Sequence, residues 1–149
     1  MDVMFRPVAL TLLGIVGLSA TANAQTVAET ATKWGLVGTW QVDCSVPPTE
    51  KSAAQVYSVQ GGKLFLGRYD GKTTDSNAIT SATINANGEI EVVVIFPEFS
   101  QTRLNVHAKD SQGRQRTMQN KNVDTGQFSV LDGKLTSSGA TTAWTTRCR

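Results

Sequence analysis

Acid–base chemistry in this 149-residue chain would have to begin at His107, its single histidine. A catalytic imidazole needs a nucleophile or an orienting carboxylate within hydrogen-bond reach. The hairpin that turns at Ser111-Gln112, with Asp110 opposite Gly113, supplies neither and sets His107 against Arg116 on an outward face. Arg103, Lys109 and Arg114 fall on that same face. Like charges directly opposed across strands destabilise a sheet unless solvent or an anion screens them. Arg103, His107, Lys109, Arg114 and Arg116 are therefore the candidate anion-binding residues, with a solvated outer face as the simpler reading. One histidine with scattered carboxylates gives no metal-ligand spacing. The sequence offers no readable triad, carboxylate pair or cofactor loop, so no catalytic residue, metal or cofactor is assigned and the chain is read as a non-enzyme.

The other reactive side chains are Cys44 and Cys148, the only two cysteines. Each stands four residues after a tryptophan, in Trp40-x-x-x-Cys44 and Trp144-x-x-x-Cys148. Two thiols are too few for a thiolate zinc site, and no Cys-x-x-Cys is present for redox catalysis. A disulfide is expected instead, because the amino terminus reads as an export signal. Arg6 precedes an apolar run over residues 8–18, and Ala22-Asn23-Ala24 offers small residues for cleavage before Gln25. That run is shorter than the roughly 20 residues that span a bilayer. These features divide the chain into a signal peptide, residues 1–24, and one domain, residues 25–149, placed in the periplasm or secreted. A net charge of +2 is too small to require nucleic acid or a membrane surface as partner.

The elements that must position these side chains read as short strands. Residues 36–43 form the first, and Pro47-Pro48 just after it makes a rim loop, since neither proline donates a ladder hydrogen bond. Residues 55–60 and 63–69 flank a turn at Gly61-Gly62, which pairs Val59 with Leu64 and Tyr57 with Leu66. Residues 79–85 and 89–96 flank a three-residue loop ending in left-handed Gly88. That register pairs Ile84 with Ile90 and Ala82 with Val92, keeping the apolar sides together. In the next strand, residues 99–109, Leu104, Val106 and Ala108 are read as the inner face. Residues 114–121 and 127–131 follow, Asp132-Gly133 turns Val130 onto Leu135, and a bulge or tight turn near Ser137-Ser138-Gly139 breaks the last segment. Residues 25–33 carry no more than a loose leader or one helical turn.

Eight or nine such strands make an all-β, antiparallel meander expected to close into a small 8–9-stranded barrel, which removes exposed edges and brings the two cysteines together. Gly38-Thr39-Trp40 on the first strand resembles the opening of calycin barrels, the lipocalin and avidin group. Gly67-Arg68-Tyr69-Asp70, and Leu135-Thr136-Ser137-Ser138-Gly139 before Ala143-Trp144, are similar to avidin-type stretches in the same order. Arg147 resembles the late arginine that lipocalins pack over the first tryptophan. No tryptophan lies between Trp40 and Trp144, where avidins line their biotin site, so biotin is not the implied ligand. The resemblance implies a barrel whose interior can hold a small, partly apolar molecule. Trp40, Tyr57, Leu66, Val94 and Trp144 are the candidate ligand-binding residues. A barrel of eight strands is wide enough either to be filled by side chains or to admit one small ligand. The alternative partner is an exported protein, with the Pro47-Pro48 loop serving as the contact of a secreted-protease inhibitor.

Overall fold

A helix opens the described part of this computed structural model, residues 25–148. The signal-peptide reading of residues 1–24 lies outside the described residues. α1 (Val27–Trp34) takes the place of the loose leader. Thr26 Oγ1 accepts from the Glu29 amide at 3.2 Å while the Thr26 amide donates to the Glu29 carboxylate at 2.8 Å, a capping box that satisfies two end donors. Ala28, Ala31 and Trp34 form its buried side. Eight residues are about two turns, too few for a helical period to stand out in sequence.

Ten strands follow: β1 (Gly38–Gln41), β2 (Ala54–Gln60), β3 (Lys63–Tyr69), β4 (Asn77–Ile84), β5 (Ile90–Phe96), β6 (Gln101–Lys109), β7 (Gln115–Asn122), β8 (Phe128–Leu131), β9 (Lys134–Leu135) and β10 (Thr146–Cys148). A single 3-10 turn, Pro97–Phe99, joins β5 to β6. All ten strands lie in one antiparallel sheet with the order β10-β1-β2-β3-β4-β5-β6-β7-β8-β9. The chain is thus the all-β meander expected, but the sheet is not closed into an eight- or nine-stranded barrel. The physical reason lies in residues 136–145. Leu135 N donates to Ala140 O and Gly139 N to Leu135 O, each at 2.8 Å, so this segment turns on itself where a closing strand would have to extend. Only one bridge, Gln115 with Thr145, joins the stretch before β10 to β7.

The sheet is nevertheless strongly curled. β2 and β6 stand four ladder steps apart, which in a flat sheet would separate them by roughly 19 Å. The Tyr57 hydroxyl on β2 instead lies 3.1 Å from Nε2 of His107 on β6. The concave side between them carries the core, in which Trp34, Leu36, Trp40, Leu64, Ile79, Ile90, Val92 and Val94 are buried together. Both buried indoles find acceptors: Trp34 Nε1 donates to Gly88 O at 2.8 Å and Trp40 Nε1 to Leu36 O at 2.7 Å.

Cys44 and Cys148 form the expected disulfide, with Cα atoms 5.5 Å apart across a sequence separation of 104. It fastens the end of β1 to β10, where Trp40 stands opposite Arg147. Three hairpin registers are as read from the sequence: Val59 with Leu64 and Tyr57 with Leu66, Ile84 with Ile90 and Ala82 with Val92, and Val130 with Leu135.

Candidate functional site

The fourth hairpin, β6 to β7, decides where the basic residues go, and its register differs from the one read. The loop has three residues, Ser111 to Gly113, rather than two. Gly113 is left-handed at φ 77° and its amide donates to Asp110 O at 3.1 Å, while Asp110 N donates to Arg114 O at 3.0 Å. Lys109 therefore pairs with Gln115, Ala108 with Arg116, and His107 with Thr117. Beyond His107 the partners step from Thr117 to Gln119, so Met118 is an extra residue in a bulge. His107 is neither opposite Arg116 nor on the surface; it is 2% exposed.

Cross-strand partners share a face of the sheet. On β5, Ile90, Val92, Val94 and Phe96 pair with His107, Asn105, Arg103 and Gln101 of β6. These four polar residues therefore face the same concave side as the apolar core, where Leu104, Val106 and Ala108 had been expected. The interior is mainly apolar along β1 to β5 and mainly polar along β6 and β7.

At this boundary lies a cavity of about 400 Å³. Leu66, Phe96 and Phe99 supply its apolar lining, and Gln101, Arg103, Asn105, Asn120 and Ser129 its polar wall. Arg103 Nη1 donates to Asn120 Oδ1 at 2.6 Å and to Ser129 Oγ at 3.3 Å, and its Nε donates to Gln101 Oε1 at 3.0 Å. Asn120 Nδ2 in turn donates to Asn105 Oδ1 at 2.7 Å. These contacts fix the guanidinium without neutralising it. Among the described residues no carboxylate lies within 4.0 Å of Arg103, and the Nδ2 of Asn105 meets no acceptor.

Arg68 at the rim differs on this point. Its guanidinium lies 5.2 Å from the Phe96 ring centre and 5.3 Å from that of Phe99, and it is paired with Asp75. Burial works against the Asp75 charge, but hydrogen bonds from Arg68 and Asn77 hold its carboxyl below the usual range.

Tyr57 and His107 close the inner end of the cavity. Their rings meet edge to face, 6.1 Å between centres at 81°. Thr117 Oγ1 stands 3.4 Å from His107 Nδ1, so both ring nitrogens have a hydroxyl beside them. Burial lowers the imidazole pKa to about 4 and pushes the Tyr57 phenol far above its ordinary range. Both groups are neutral at pH 7.

Of the five candidate ligand residues, Tyr57 and Leu66 line this cavity, whereas Trp40 and Val94 belong to the packed core. Trp144 is half-buried, with the guanidinium carbons of Arg116 and Arg114 at 4.8 and 5.6 Å from its ring. Of the five candidate anion-binding residues, Arg103 and His107 line the cavity. Lys109 donates to the Trp34 carbonyl and sits 4.1 Å over its ring. Arg114 pairs with Asp110, its Nε 2.7 Å from the carboxylate. Sequence reasoning missed Asn105, Asn120 and Ser129. The signal for Asn105 was the alternation Gln101, Arg103, Asn105, His107, read as an outer face because the apolar Leu104, Val106 and Ala108 were taken as the inner one.

Among the described residues no helix is long and apolar enough to cross a membrane, and no three His, Cys, Asp or Glu side chains converge. Comparison of the chain with protein-family models, with curated proteins and with solved structures returned no match.

Proposed function

We propose that this protein is an exported, non-enzymatic binding module for a small amphipathic anion, a carboxylate with an apolar body. One observation carries the reading: the same cavity sets Arg103, without a carboxylate partner among the described residues, opposite Leu66, Phe96 and Phe99. A guanidinium held by neutral acceptors in a partly desolvated wall favours an anion, and Asn105 Nδ2 provides a second donor beside it. A volume of about 400 Å³ lies in the range of small-molecule pockets. Burial lowers the His107 pKa to about 4, far from the neutral range in which an acid–base catalyst works best, and this supports a binder. The calycin-like opening at Gly38-Thr39-Trp40 points the same way, since that group holds small apolar molecules inside its sheets. The signal-like sequence of residues 1–24 and the disulfide support the exported part of this reading.

Calorimetric titration of octanoate and 3-phenylpropionate, beside octanol and 3-phenylpropanol, tests this. Carboxylates are expected to bind more tightly than the alcohols. Arg103→Met is expected to weaken the acids roughly 10- to 100-fold, the range for a hydrogen bond to a charged group, and to leave the alcohols unchanged. Absence of saturable carboxylate binding, or binding indifferent to Arg103→Met, overturns the proposal.

A further inference from the structure

The Tyr57–His107 contact crosses the curled interior from β2 to β6 and divides it. Beyond it lies a second cavity of about 510 Å³. Gln55, His107 and Thr117 line both chambers, so this crossbar is their common wall. The second chamber adds Gln115 and Arg116 of β7, with Thr142 and Thr145 opposite.

Gln115 is 1% exposed, yet neither its Nε2 nor its Oε1 has a hydrogen-bond partner among the described residues. The Nε of Arg116 is likewise buried and unpaired. Three other buried amides each have a partner: Asn77 Nδ2 donates to Leu66 O at 3.1 Å, Gln41 Nε2 to Val46 O at 3.3 Å, and Asn122 Oδ1 accepts from two amides. The nearby hydroxyls are also committed, Thr142 Oγ1 to Thr117 O at 2.8 Å and Thr145 Oγ1 to Gln115 O at 3.1 Å. At this chamber the open hydrogen-bonding capacity is therefore that of the Gln115 amide, unpartnered at both polar atoms. A buried donor or acceptor left without a partner is destabilising.

We propose that this second chamber is a binding site for a small neutral molecule that presents a carboxamide. The Gln115 side chain offers a donor and an acceptor fixed side by side. A carboxamide meets both at once, its N–H donating to Gln115 Oε1 and its oxygen accepting from Gln115 Nε2. An anion would accept from Gln115 Nε2 and leave Gln115 Oε1 facing like charge. The site is separate from the Arg103 cavity and does not depend on a carboxylate binding there.

The test is heteronuclear NMR on the full-length protein, following the Gln115 side-chain amide during titration with N-acetylglycinamide and, at matched ionic strength, with acetate. The amide is expected to give a saturable shift of the Gln115 resonances and acetate none. Gln115→Met, which keeps the length and removes both polar atoms, is expected to abolish the saturable response elsewhere in the chamber. Arg103→Met is expected to retain it, which distinguishes this site from the first. If Gln115→Met does not fold, the amide-against-acetate contrast in the unmodified protein decides alone. Lack of a saturable shift, as for an amide satisfied by water only, or an equal response to acetate, overturns the proposal.

Discussion

His107 and Tyr57 are joined across the interior, and burial keeps both neutral. The unfolded chain, with an ordinary imidazole, takes up a proton as the pH falls below about 6.5, whereas the folded chain does not until about 4. His107 therefore withdraws stability progressively through that window, and nothing above it. Between pH 7 and pH 5 the loss is about 2 kcal/mol. His107→Gln, which can still hydrogen-bond to Tyr57, should shrink the difference between urea unfolding curves at those two pH values. A variant as acid-sensitive as the parent would place the effect on another group. Residue types were legible in the sequence at this scale: His107 and Arg103 were both singled out. Their direction was not, because polar residues on a strand were assumed to face water, and here Asn105, Asn120 and Ser129 form the network that lets Arg103 face inward.

At the scale of elements, the β4–β5 and β6–β7 hairpins use the same device, a three-residue loop whose last residue is a left-handed glycine. Gly88 was recognised because the competing register would have set Ile84 against Glu91. Gly113 was not, because Arg, Gln and His on either side gave no apolar pairs to discriminate the two registers, and a slip of one residue exchanges the faces. An added Cβ at Gly113 meets nothing within 4 Å, so Gly113→Ala should act through the backbone alone. A cost of about 1–2 kcal/mol is expected from the left-handed conformation, and less for Gly113→Asn, measured as the shift in urea midpoint at constant slope. Equal stability of the alanine variant would show that the loop is free to change its turn. In α1, the capping box predicts that Thr26→Ala lowers stability by about 1 kcal/mol. An unchanged urea midpoint in Thr26→Ala would mean that α1 is held by the packing of Ala31 and Trp34 and not by its cap.

For the whole molecule, the all-β meander and the joining of its ends were legible because strand-like alternation runs through the chain and only two cysteines exist. Closure was not, since the turns over residues 136–145 leave a single bridge where a barrel would need a ladder. The disulfide therefore has more to do than in a closed barrel. Linking residues 104 apart stabilises by up to about 4.7 kcal/mol in the chain-entropy estimate, with 2–4 kcal/mol typical. The paired change Cys44→Ser, Cys148→Ser should lower Tm by roughly 10 °C in a domain of this size. A shift of only a degree or two would mean that the β1–β10 ladder holds the ends without it. That ladder also orders events in time. One side of β1 pairs with β2 as soon as the first hairpins exist, but Thr39 on its other side waits for Cys148. Until Cys148 has been made one edge of β1 stays bare, so the sheet is completed last between the two strands most distant in sequence, and during that interval the open edge can pair with any other extended chain.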